Sequence, residues 1–323
     1  MIKQNNGYKF KKIYIEITNQ CNFFCSFCPN QKDQEAKSMS IEQVDRLFEE
    51  ISRYTGHICL HVKGEPLLHP QLREIINIAQ KNLLKINLTT NGSLIDMHEE
   101  LLLNSKAIRQ ISFSLQSIEN YKTKNEKQKY LNNIFRFTKK TLDNTEIYID
   151  YRLWNIKQDK RNYQELLTQK LLDENGLELD YEQKNTEIFS NSEILKMIAE
   201  EFLDNKEIIE GAYEGKGIKL LKNLYLSQSE QFQWPDIKEK IINDRGYCYG
   251  LKSQIAILAD GTVIPCCLDE KGIIDLGNIF KETLQDILNS NRAKEFSKGF
   301  SENKVIEELC KRCGFRQKFN NTK

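Results

Sequence analysis

Short runs in which apolar and polar side chains alternate dominate the first half of the chain. "KIYIEIT" (12–18), "HICLHV" (57–62), "LKINLTT" (84–90), "QISFSL" (110–115) and "EIYIDYRL" (146–153) show the two-residue period of strands. Between most of them the period lengthens to that of amphipathic helices. "MSIEQVDRLFEEISRY" opens with Ser40 and Gln43 at capping-box spacing. "PQLREIINIAQKN" places Pro70 for a first helical turn, and "KQKYLNNIFRFTKKTLD" predicts a further helix. Strand–helix–strand repetition requires parallel pairing and an α/β fold.

The alternation also separates two faces. One carries residues such as Ile13, Ile15, Ile58, Leu60, Ile86, Leu88, Ile111, Phe113 and Ile149. The other carries Tyr14, Glu16, Thr18, Cys59, Asn91, Ser112, Ser114, Gln116, Asp150 and Arg152. Such a face cannot be buried dry without large costs for unpaired polar groups. The expectation is a partial (β/α)6 TIM-type barrel curved around a polar, ligand-filled interior. An open sheet with one wet face is the alternative, although parallel sheets are usually covered on both sides.

Further along, "KRNYQELLTQKLLDENGLELD" (160–180) predicts helix–turn–strand, with Leu177–Asp180 as a sixth strand. "NSEILKMIAEEFLDN" predicts a helix and "KGIKLLKNLYLS" extended chain. Pro235 marks a boundary between a core domain over 8–235 and a small β-hairpin/helix domain over 240–323. In the latter, "GYCYGLKSQIAILADGTVIPCCLDEKG" (246–272) holds two extended runs joined at Asp260-Gly261, a hairpin signal, before a helical "ETLQDILNSNRAKEFSKGF".

Composition narrows the function classes. The 47 Lys and Arg nearly cancel the 46 Asp and Glu, so nothing global attracts nucleic acid or an anionic membrane. No stretch has the length and apolarity of a signal peptide core or a membrane span. A cytoplasmic location is expected, where grouped cysteines bind metal more often than they form disulfides.

Three of the nine cysteines stand together in "QCNFFCSFCPN" as Cys21, Cys25 and Cys28. They follow the first strand directly, at the edge where α/β folds bind ligands. Three thiolates can hold three irons of a cubane and leave the fourth open, whereas structural zinc and ferredoxin-type clusters normally take a fourth protein ligand. This run, with Phe27 before the last cysteine, resembles the CxxxCxΦC signature of the radical S-adenosylmethionine (radical SAM) superfamily. "KGEPLLHP" (63–70) resembles that family's GGEP motif with Lys63 in place of the first glycine. "LTTNG" (88–92) and "ISFSLQS" (111–117) resemble its third- and fourth-strand elements.

The resemblance implies a [4Fe–4S] cluster on Cys21, Cys25 and Cys28, with S-adenosylmethionine (SAM) on the open iron. Phe27 would lie against the adenine and contact it through its main chain. Gly64 and Glu65 would meet the SAM ammonium, with Asn91 also binding the cofactor. Ser114 and Gln116 would face the ribose, and Arg152 would pair with the SAM carboxylate. Alternatives stand beside these: Glu65 capping the next helix, Arg152 bridging Asp150 or Glu16, and structural roles for His57, His61, His69 and His98. A reductant such as flavodoxin or ferredoxin would supply electrons.

The second cysteine group is Cys248, Cys266, Cys267, Cys310 and Cys313 around the hairpin. On chemistry alone zinc and an iron–sulfur cluster suit it comparably. The pattern resembles the C-terminal SPASM or twitch extension, which implies an auxiliary [4Fe–4S] cluster on Cys248, Cys266, Cys310 and Cys313, with Cys267 as the alternative to Cys266. Cys59, inward on the second strand, is a candidate hydrogen donor to a substrate radical. The leading functional reading is hydrogen abstraction from a peptide or protein side chain. Dehydrogenation or rearrangement of a small molecule such as a sugar or alcohol comes second, and a non-enzymatic iron–sulfur or zinc scaffold third.

Overall fold

The computed structural model describes residues 10–29, 35–154, 191–203, 217–229 and 233–319. In chain order the strands are β1 (Lys12–Ile15), β2 (His57–Leu60), β3 (Lys85–Thr90), β4 (Ile108–Ser114), β5 (Tyr148–Trp154), β6 (Ile218–Leu221), β7 (Leu224–Ser229), β8 (Gln254–Ile257) and β9 (Val263–Ile264). The helices are α1 (Ile41–Ile51), α2 (Leu72–Lys81), α3 (Ile95–Leu103), α4 (Lys124–Asn144), α5 (Asn191–Phe202), α6 (Leu284–Asn289), α7 (Asn291–Ser301) and α8 (Glu308–Lys311). The fold is α/β around a partly open parallel sheet, the class that the alternation predicts. Two compact units emerge, Met1–Ser112 with Phe232–Lys323, and Phe113–Gln231.

In the first unit the strand order is β3-β2-β1-β8-β9. β1 pairs parallel to β2, with Ile13 opposite Ile58, and β2 parallel to β3, with Ile58 opposite Ile86. These isoleucines are fully buried. Tyr14, Glu16, Thr18 and Cys59, from the opposite face, are buried as well. β8 continues the sheet past β1, parallel to it, from Lys12 opposite Gln254 to Ile15 opposite Ile257. β9 returns antiparallel through the turn at Gly261, whose φ of 85° is left-handed.

Local chemistry explains the helix ends. Ser40 and Gln43 form the capping box of α1: Gln43 N–H donates to Ser40 Oγ at 3.2 Å, and Ser40 N–H to Gln43 Oε1 at 2.8 Å. α2 begins later than expected, with Gln71 as its N-cap, so Pro70 lies outside the first turn. His69 organises that entry instead. Its Nδ1 accepts from Gln71 N–H at 3.2 Å and its Nε2–H donates to Met39 O at 3.0 Å. α3 has only Ile95 and Leu102 buried, and Met97 is 77% exposed, which is why its amphipathic signal is weak. The helical run after the hairpin divides into α6 and α7 at Ser290, whose extended backbone (ψ 155°) caps the second piece.

The second unit pairs β5 with β7 in parallel, Ile149 opposite Leu224, and β7 with β6 antiparallel. Its core is aromatic. Tyr151 lies among Phe113, Phe135 and Phe202, and its hydroxyl donates to Thr138 Oγ1 at 2.7 Å. The helix and the strand expected over 160–180 lie outside the described residues. Among the described residues, no helix is long and apolar enough to cross a membrane.

Because Ile255 is fully buried in β8 beside β1, Ile255→Ala should lower the unfolding free energy by about 2–5 kcal/mol. Denaturant melts of the variant and the parent chain check this.

Candidate cofactor and metal-ligating sites

The loop after β1 is fastened before its cysteines begin. Asn19 N–H donates to Lys37 O at 3.0 Å, Asn19 Nδ2 donates to Glu35 O at 2.8 Å, and Lys37 N–H returns to Asn19 Oδ1 at 2.8 Å. A turn then links Cys28 N–H to Cys25 O at 3.1 Å. Cys21 is held from the end of β3: Asn91 Nδ2 lies 3.8 Å from its sulfur and 2.9 Å from Asn22 Oδ1. Phe23 N–H points at the same sulfur at 3.5 Å. Burial pushes the Cys21 thiol up, while Phe23 N–H and Asn91 favour its thiolate, and Cys28 acts on it electrostatically.

The turn Lys63–Glu65 packs on the same loop. Gly64 has φ 73°, and a Cβ there would collide with the Thr18 carbonyl oxygen. Glu65 N–H donates to Gln20 O at 2.7 Å. The buried Glu65 carboxylate takes three donors: Leu67 N–H at 3.0 Å, Thr90 Oγ1 at 2.8 Å and Asn91 N–H at 2.7 Å. It therefore caps the short 3-10 turn Pro66–Leu68 and also locks β3's end to the turn. Burial outweighs these donors and raises its pKa to about 7.

Phe27 offers its carbonyl oxygen to Trp234 Nε1–H at 2.9 Å, a partner that the sequence did not suggest. Cys59 is buried among Tyr14, Val62, Ala256, Leu258 and Ile264, with Cys267 packed against the group. Asn87 Nδ2 lies 3.9 Å from the Cys59 sulfur. His61 meets Tyr14 edge-on at 5.3 Å, and His98 Nε2–H donates to Leu67 O at 2.8 Å.

In the second unit, β4 ends at Ser114, so Gln116 stands in the 3-10 helix Leu115–Asn120 and not on the strand. Among the described residues its buried Oε1 has no hydrogen-bond partner, which leaves an acceptor available to a ligand. The Ser114 hydroxyl makes no capping bond. Arg152 Nε–H donates to Asp150 Oδ2 at 2.8 Å, and Ser227 Oγ to Asp150 Oδ1 at 2.7 Å. The Asp150 bridge thus exists and uses only one edge of the guanidinium.

Around the hairpin, Cys248, Cys266, Cys310 and Cys313 act on one another. Burial raises all four thiols, Cys266 and Cys310 well above the ordinary value, and neighbouring thiols add to the effect at Cys248, Cys266 and Cys310. Cys267 turns elsewhere. Burial lifts it to about 11, and Lys12, Cys59 and Tyr14 act on it. Buried thiols gathered in this way suit a thiophilic metal group, which would stabilise their deprotonated form. Among the described residues, no three His, Cys, Asp or Glu side chains converge closely enough for a single ion. The fit therefore rests on the shared electrostatics of the thiols.

Arg316 was not legible in the sequence. It is buried and donates to Cys310 O at 3.1 Å, Arg245 O at 2.7 Å and Asn243 O at 2.8 Å. Its charge favours the thiolates of Cys248 and Cys313.

Residues 15–156 match the model of the radical SAM superfamily, and residues 248–314 that of the SPASM iron–sulfur cluster-binding domain. A GTP 3',8-cyclase of Synechocystis sp. is 30% identical over 124 residues, 37% of this chain and 37% of that protein. A probable GTP 3',8-cyclase of Methanocella arvoryzae is 29% identical over 114 residues, 35% of this chain and 36% of that protein. The matches span a little over a third of the length of these curated relatives. Among solved structures, BtrN in complex with AdoMet and 2-DOIA superposes with a TM-score of 0.51 at 15% identity, covering 94% of this chain and 93% of that one. Streptococcus suis SuiB bound to precursor peptide SuiA gives 0.52 at 16%, covering 94% and 71%. At such identities the likeness is one of fold.

Gly64→Ala should destabilise the chain by about 1–3 kcal/mol through strain at a positive φ, measurable by thermal unfolding. The raised Glu65 pKa sets a pH dependence. The native state keeps a proton that the unfolded state releases, so this contribution is complete below about 4.5 and is lost as pH rises through about 7. The stability of the wild-type chain relative to Glu65→Gln should therefore fall by up to about 3 kcal/mol between pH 4.5 and 7.5, read from denaturant midpoints across that range.

Proposed function

We propose that this chain, which belongs to the radical SAM superfamily and carries a C-terminal SPASM iron–sulfur cluster-binding domain, is an enzyme that removes a hydrogen atom from a substrate with a SAM-derived radical. The carrying observation is the association of the Cys21–Cys28 loop with the Lys63–Glu65 turn and Asn91 through hydrogen bonds that hold the Cys21 sulfur at the ends of β1, β2 and β3. We assign the radical SAM module to 8–235 and the auxiliary module to 240–323.

Cys21, Cys25 and Cys28 would hold a [4Fe–4S] cluster. When bound, it would supply the electron for reductive cleavage of SAM at its sulfonium, the source of the hydrogen-abstracting radical. The protein's part is placement. Gly64 lets the main chain approach closely, and Glu65 and Asn91 fix that approach. The open acceptor of Gln116, the Ser114 hydroxyl and the outer edge of Arg152 would take the ribose and carboxylate. Phe27 would lie against the adenine, with its carbonyl shared with Trp234. Cys248, Cys266, Cys310 and Cys313 would hold the auxiliary [4Fe–4S] cluster beside Arg316.

For the substrate, the first reading is a peptide or protein side chain, supported by the fold shared with SuiB, whose structure contains its precursor peptide. A small molecule is the second. It is favoured by a superposition covering 93% of BtrN, bound to 2-DOIA, and by the relatives named GTP 3',8-cyclase. A flavodoxin or ferredoxin would supply electrons in either case. Cys59 would matter only where a substrate radical must be quenched by hydrogen return.

Anaerobic reconstitution should give about eight irons per chain, about four of them lost in the triple variant C21A/C25A/C28A. With dithionite the wild-type chain should release 5′-deoxyadenosine from SAM, and deuterium from the true substrate should appear in it. No deoxyadenosine from a fully loaded chain supplied with substrate-rich extract would sink the enzyme reading.

A further inference from the structure

Lys63 introduces a charge into a turn otherwise built for close approach. Its side chain is 6% exposed, and its ammonium lies 3.1 Å from Glu270 Oε2 on a side chain 7% exposed. Its own N–H donates to Glu16 Oε2 at 3.3 Å, and the other Glu16 oxygen takes Ala259 N–H at 3.3 Å. The cation is thus enclosed, one residue from the glycine that rests on Thr18.

Glu270 comes from the other end of the chain. It sits in the loop Cys266–Gly272, where Asp269 N–H reaches Cys266 O at 3.3 Å and Gly272 N–H reaches Asp269 O at 3.0 Å. The Asp269 carboxylate fixes that loop by accepting from Ile273 N–H at 2.9 Å and Ile274 N–H at 2.7 Å. The loop that offers Cys266 to the auxiliary thiol group therefore also delivers the counter-ion of Lys63.

SAM carries a sulfonium, an ammonium and a carboxylate, a net positive charge. An uncompensated buried ammonium next to its binding turn would oppose it, with little solvent to screen the repulsion. We propose that Glu270 is a positioning residue for SAM: by neutralising Lys63 it makes the Gly64–Glu65 turn able to accept a cationic ligand, so SAM affinity depends on the placement of the auxiliary-cysteine loop. This rests on the reading of that turn as part of the SAM site.

The test is SAM binding by calorimetry on the full, anaerobically reconstituted chain, with iron counted in each sample. Glu270→Gln should raise the SAM Kd about tenfold or more. The paired neutral variant K63M/E270Q should return it to within about twofold of wild type. S-adenosylhomocysteine, which lacks the sulfonium charge, should lose less affinity than SAM in Glu270→Gln. An unchanged Kd in Glu270→Gln, a double variant as weak as the single, or equal losses for the two ligands would each overturn the proposal. Should Glu270→Gln not fold, K63M/E270Q and Glu270→Asp decide: SAM binding within about threefold of wild type in both supports it, and tenfold weakening in the double overturns it. A loaded wild-type chain that binds no SAM overturns the functional reading beneath as well. Wild-type binding with indifferent variants overturns this inference alone.

Discussion

A main-chain contact with no room for a side chain governs the candidate site. Gly64 passes against the Thr18 carbonyl, and the Glu65 amide bonds Gln20, so the turn after β2 is fastened to the loop after β1. Glu65 then spends its carboxylate on Thr90 and Asn91, and Asn91 passes the restraint on to Cys21 and Asn22. Three strand ends are thereby tied together through hydrogen bonds to one buried acid. Protein contacts alone thus hold Cys21 in place, which lowers the ordering cost of binding a ligand there.

Burial without solvation is the second constraint. The auxiliary thiols are all raised by it, and Arg316 is the buried cation that opposes the trend at Cys248 and Cys313. Because a buried arginine needs partners for its donors, three backbone carbonyls surround it. Those carbonyls come from the segment before Cys248 and from Cys310 itself, so one guanidinium also staples the two halves of the auxiliary group.

Much of this was readable from residue order. The alternation in "KIYIEIT" and "HICLHV" predicts both the strands and the division of their side chains between two faces, because a period of two maps directly onto the two sides of a sheet. The packing of Tyr14 and Cys59 with Val62, Ala256, Leu258 and Ile264 depends instead on the distant β8 and β9 segment. Ser40 with Gln43 predicts the α1 start for an equally local reason. What escaped the sequence depends on distant partners. Pro70 looks like a first-turn residue, but His69 competes for that position with bonds to Met39 and Gln71. The Phe27–Trp234 and Lys63–Glu270 pairs join segments about two hundred residues apart, and no local pattern encodes them. The difference between Cys266 and Cys267 is likewise tertiary: both lie in the bend and turn after β9, and Cys248 and Cys310 act on the first while Lys12, Cys59 and Tyr14 act on the second.

The lateral position of β8 carries a consequence for biogenesis. β1 lies between β2 and β8, so one edge of the first strand has no hydrogen-bonding partner until the distant segment Gln254–Ile257 has been synthesised. Contacts of such long sequence separation form late and leave an open strand edge exposed meanwhile. The start of the Cys21 loop, by contrast, is fastened by hydrogen bonds with residues 35–91, so it can be held while the far edge of the strand it follows is still unpaired.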